Sequence, residues 1–71
     1  MTINEYLKLP YHIVIHYNKQ DGIYYSEVQE LKGCLSEGNS MTVLGKTYES
    51  MRLWIETALE RNLEIPLPKE E

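Results

Sequence analysis

From residue 11 to residue 17 the sequence YHIVIHY alternates, placing Tyr11, Ile13, Ile15 and Tyr17 on one side and His12, Val14 and His16 on the other. A two-residue period in β-branched and aromatic side chains predicts a strand. Asn18 and the Asp21-Gly22 pair follow, a hairpin chemistry in which Gly22 takes positive φ, so IYYSEV (23 to 28) is expected to return antiparallel. A third short strand is expected from Cys34 to Glu37, with Gly33 and Gly38 as bend or bulge positions. The period then lengthens. Between Met41 and about Asn62, Leu44, Tyr48, Met51, Ile55, Ala58 and Leu59 form the stripe of an amphipathic helix. Ser40 is placed to cap it by accepting from the amide of residue 42 or 43. Asn62 suits the left-handed position that ends a helix, and Pro66 and Pro68 prevent its resumption. Upstream, INEYLKL (3 to 9) supports one or two helical turns before Pro10.

The expected architecture is α+β: a three-stranded antiparallel sheet in β-β-β-α order, one long helix packed on one face, and a short N-terminal helix. It forms a single domain over residues 1 to 71. A chain of 71 residues buries only about 60% of the surface its unfolded form exposes. With the second sheet face uncovered and bearing tyrosines, a homodimer or homotetramer is expected.

Charge narrows the partners. Eleven acidic against seven basic side chains give a net charge of -4, which disfavours direct nucleic-acid binding and favours a basic protein. One cysteine forms no intramolecular disulfide, MTINEYLKLPY has no apolar core like that of a leader peptide, and no apolar run approaches the ~18 residues of a membrane span. The reading is a soluble, cytoplasmic protein.

Reactive constellations are sparse. His12 and His16 are four apart, but four strand residues span about 13 Å, too far for two nitrogens about 2 Å from one zinc. Cys34 has Glu30, Lys32 and Glu37 as its nearest charges, and both histidines lie on another strand, so it reads as a packed residue rather than a nucleophile. Gly33 and Gly38 match no phosphate-binding spacing, and Glu27, Glu30 and Glu37 have no spacing that predicts shared acid-base or metal work. No catalytic residue, metal site or cofactor is expected.

The ordered segments EYLKLPY, DGIYYSEV, QELKGC, EGNS, RLWIETALERN and LEIPLP resemble short members of the HicB-like antitoxin family over nearly the whole chain. Lys32 stands where that family usually has proline, and Ser40 where it has threonine. The resemblance implies a truncated ribonuclease H-like fold without catalytic carboxylates, often finished by a short fourth strand. It also implies a partner, a small basic mRNA-cleaving toxin of the HicA type, masked by direct contact. The chain to Glu71 has no counterpart of the family's C-terminal DNA-binding domain. From charge and position, the expected partner contacts are Tyr17, Asp21, Tyr24, Glu27 and Glu30, while Gly22, Gly33, Cys34, Gly38 and Ser40 shape the turns and the helix start.

Overall fold

Alternation and hairpin chemistry produce a meander. The computed structural model describes residues 1 to 68, in the order α1 (Ile3–Leu7), β1 (Ile13–Asn18), β2 (Ile23–Val28), β3 (Leu35–Gly38) and α2 (Val43–Glu60). The sheet has the order β1-β2-β3 with both pairings antiparallel, and α2 packs on β2 and β3. The α+β, β-β-β-α architecture is thus present, with a short helix ahead of it. Residues 63 to 68 form no fourth strand.

Register assigns the faces. Ile13, Ile15 and Tyr17 pair with Val28, Ser26 and Tyr24, and Ser26 and Tyr24 pair in turn with Ser36 and Gly38. Because Ser26 meets Thr47 of α2, all of these positions face the helix side. The opposite face carries Val14, His16, Asn18, Ile23, Tyr25, Glu27, Leu35 and Glu37. The uncovered face therefore bears one tyrosine, Tyr25; Tyr17 and Tyr24 stack on the helix side with ring centroids 4.8 Å apart.

The core lies toward one end of the sandwich, where Tyr11, Val28, Leu31, Cys34, Met51, Ile55, Ala58 and Ile65 cluster and α1 packs over them with Ile3, Tyr6 and Leu7. α1 begins with a capping box, in which the Thr2 hydroxyl accepts from the Glu5 amide and the Glu5 carboxylate accepts from the Thr2 amide. Toward the other end the helix-sheet seam is polar. The Thr47 hydroxyl donates to Val43 O at 2.6 Å, which leaves its oxygen to accept from Ser26 at 2.5 Å. Ser36 and Ser50 make a parallel hydroxyl contact.

This seam corrects the helix stripe. The buried positions are Val43, Thr47, Met51, Ile55 and Ala58, whereas Leu44 and Tyr48 are 48% and 44% exposed. A threonine and the first helical residue hold the face that a purely apolar pattern gives to their neighbours. The helix start is corrected as well. Ser40 is not the cap; Thr42 occupies the N-cap position without a side-chain cap, and Asn39 closes the turn by accepting from the Met41 and Thr42 amides at its Oδ1. The helix ends on a Schellman arrangement: Asn62 has φ 54°, its amide donates to Leu59 O, and Leu63 donates to Ala58 O.

Replacing Thr47 by valine is expected to cost about 1–3 kcal/mol, because the Ser26 hydroxyl loses its buried acceptor. The Ser26→Ala/Thr47→Val pair is expected to recover part of that loss, and urea unfolding of the three variants measures the coupling. Leu31→Ala, at a fully buried site, is expected to cost about 2–5 kcal/mol, against less than about 1 kcal/mol for Leu44→Ala.

Candidate functional site

The turn between β2 and β3 is built around Leu31, which is fully buried. Its amide donates to Val28 O, the Cys34 amide returns to Leu31 O, and Val28 N donates to Cys34 O. Gly33, at φ 84°, supplies the left-handed residue that closes this circuit. Cys34 follows at 3% exposure, and burial pushes its thiol above the ordinary range. A thiol held protonated and covered is a packing group.

Glu30 lies in the same turn. Its side chain is 8% exposed, so it is not the surface contact that charge and position suggested. One carboxylate oxygen accepts from the His12 amide at 2.9 Å and the other faces His12 Nδ1 at 2.5 Å. With an ionised acceptor there, Nδ1 carries the proton. Burial opposes ionisation of Glu30, but the hydrogen bonds from the His12 ring and amide outweigh it and hold the carboxyl below its ordinary range. The pair joins this turn to the start of β1, beside the Gln29 amide bonded to His12 O.

The remaining expected contacts separate into three places. Glu27 stands on the open sheet face beside His16, whose Nε2 is 3.4 Å from its carboxylate. Asp21 lies at the hairpin, where Gly22 has φ 66° and its amide closes onto Asn18 O. The Tyr25 hydroxyl reaches back to Asp21 at 3.1 Å, and that bond, with burial and the charges of Asp21 and Glu37, raises the phenol above its usual range. Tyr17 and Tyr24 are on the helix side, away from these carboxylates. Pairing adds one acid that the contact list missed: Glu37 lies opposite Tyr25. Two-residue alternation in β3 could have found it once the register was fixed. Thus Asp21, Tyr25, Glu27 and Glu37 share one surface, with no lysine or arginine at any strand position facing it.

A second surface lies on the side of α2 that carries Leu53 and Trp54. Beside β3 an apolar groove of about 690 Å³ has Cys34, Trp54 and Ala58 as its floor and Leu35, Leu53 and Leu63 along its margins. Trp54 is fixed there by its indole Nε1–H, which donates to Lys32 O at 2.9 Å. Among the described residues no group of three or more His, Cys, Asp or Glu side chains could hold a metal ion, and no helix is long and apolar enough to cross a membrane.

Comparison with known proteins returns no relative: no family model, no curated protein and no solved structure matches the chain.

Because the folded Glu30 carboxyl titrates below its unfolded counterpart near pH 4.3, its contact stabilises the fold above that pH and is lost as pH falls through the lower folded value. The stability difference between wild type and Glu30→Gln is expected to shrink as pH is lowered from about 4.3 through the folded Glu30 value. Denaturant titrations across this range check it, and a difference independent of pH contradicts it. Cys34 is expected to react with a thiol reagent only as fast as the fold opens; rapid stoichiometric labelling of folded protein contradicts its packing role.

Proposed function

We propose that the chain is a non-catalytic binding protein of the antitoxin type, which neutralises a small basic RNA-cleaving toxin of the HicA type by covering its active site. The observation supporting this reading is the open sheet face, where Asp21, Glu27 and Glu37 surround Tyr25 without a neighbouring strand lysine or arginine. A surface that cleaves RNA must attract phosphates, and a cluster of carboxylates competes for the same cationic side chains. Tyr25 adds an amphipathic ring at the centre of the patch. The contacts proposed are therefore Asp21, Tyr25, Glu27 and Glu37. Glu30 acts by fixing the adjacent turn, and Tyr17 and Tyr24 belong to another side of the molecule.

The same reading places the protein in the cytoplasm with its toxin, without cofactor or direct nucleic-acid contact, and as a homodimer or homotetramer. A second reading, an oligomeric scaffold without a toxin, is favoured by the apolar groove beside β3.

Purified protein is expected to suppress RNA cleavage by a small basic toxin of the HicA type encoded beside it, where such a frame is found, with an association rate that falls as salt rises. Reversal of charge in Glu27→Lys/Glu37→Lys is expected to slow association on the order of tenfold or more. Full cleavage at saturating protein concentration contradicts the reading.

A further inference from the structure

We propose that the outer edge of β3 is a docking site for an extended segment of a basic partner protein, which adds to the sheet as a further strand. The bonding pattern of the sheet fixes which backbone groups point there. The Val28 amide donates to Cys34 O, and the register places these two residues directly opposite, so they form a hydrogen-bonded pair. Bonded and non-bonded pairs alternate in an antiparallel ladder, which makes Ser26 with Ser36 a bonded pair and leaves Glu27 with Leu35 and Tyr25 with Glu37 non-bonded. The amides and carbonyls of Leu35 and Glu37 therefore point away from β2, along an edge that pairs with no other strand among the described residues. Leu35 O meets the Ser50 hydroxyl at 3.5 Å and keeps a second lone pair. Both residues are exposed, and such an edge is a template for an incoming strand.

Side chains specify the occupant. In an added strand, residues level with Leu35 and Glu37 share the open face with them, and the residues between turn toward α2. Those turned toward α2 meet the groove, where Leu53 and Trp54 stand beside Cys34 and Ala58, and apolar side chains fit there. The Trp54 N–H is already satisfied by Lys32 O, so covering it strands no donor. On the open face the added residues meet Glu37, with Glu27 on the strand beyond, and basic side chains fit there. The edge thus selects a segment in which apolar and basic residues alternate. The strands of this chain, IVIHYN, IYYSEV and LSEG, contain no lysine or arginine, so none of them supplies that pattern to another copy. β1, the other edge of the sheet, carries no carboxylate to select it. This docking mode goes beyond the antitoxin reading, because it does not require that the partner cleave RNA.

Titration of the full chain with the synthetic peptide acetyl-KVKVKVK-amide, followed by nuclear magnetic resonance, tests the proposal. Saturable binding is expected, with slowed hydrogen exchange at the Leu35 and Glu37 amides and unchanged exchange at the Ile13 and Ile15 amides of β1. Only alternate amides of an added strand face the sheet, so N-methylation of one set, lysine or valine, is expected to abolish binding while methylation of the other leaves it intact. The block peptide acetyl-KKVVVKK-amide has the same charge without the alternation. It is expected to bind wild type roughly tenfold more weakly, as the alternating peptide is to bind Glu37→Lys. Absence of saturable binding, equal binding of the alternating and block peptides, binding that survives either methylation, or protection of β1 in place of β3 overturns the proposal. No toxin enters this assay, so its failure leaves the antitoxin reading standing, and failure to suppress RNA cleavage leaves the strand-docking edge standing.

Discussion

One helix cannot cover three strands. An α-helix with its side chains is about 10–12 Å across, and neighbouring strands are spaced by about 4.8 Å, so α2 shields a little over two of them. It sits on β2 and β3, and the helix side of β1 is left partly open, with Ile15 and Tyr17 exposed. α1 compensates only at the core end, where Ile3, Tyr6 and Leu7 close over Met51, Ile55 and Ala58. The division of this small molecule into a dry end and a polar, partly open end follows from that shortage of cover.

The seam between α2 and the sheet reflects the same constraint. Where α2 crosses β2 and β3, small hydroxyl side chains meet across the seam: Ser26 against Thr47 and Ser36 against Ser50. The path from β3 into α2 is equally tight. A Cβ on Gly38 would lie 2.7 Å from Thr42 Oγ1 and 3.2 Å from the Val43 amide, so glycine there permits the turn through Asn39 rather than supplying an unusual φ. With the helix brought this close, Leu31, Met51 and Ile55 are sealed and the Gly33–Cys34 turn is fixed at the margin of the groove.

Two surfaces of different chemistry result. The uncovered sheet face carries Glu27 and Glu37, whereas the groove beside β3 is lined mainly by apolar side chains, and Leu35, opposite Glu27, lies where the two meet.

The sequence by itself determined the elements. Alternation in 11–17 set the first strand, Asp21-Gly22 the hairpin that returns 23–28 beside it, the three- and four-residue spacing from Met51 to Ala58 the central helix face, and Asn62 its end. These signals are local, arising from backbone geometry and side-chain periodicity within a few residues. Tertiary structure decided the rest. Thr47 is buried while Leu44 is exposed because the Ser26 hydroxyl lies across the seam, 21 residues away in sequence. Glu30 is enclosed because His12 supplies two hydrogen bonds from the start of β1. Strand register, rather than residue type, separated Tyr17 and Tyr24 from the acidic face and joined Glu37 to it. A carboxylate or a tyrosine looks the same along the chain whether it faces solvent, a helix or a partner; only the pairing of distant segments fixes which of these it meets.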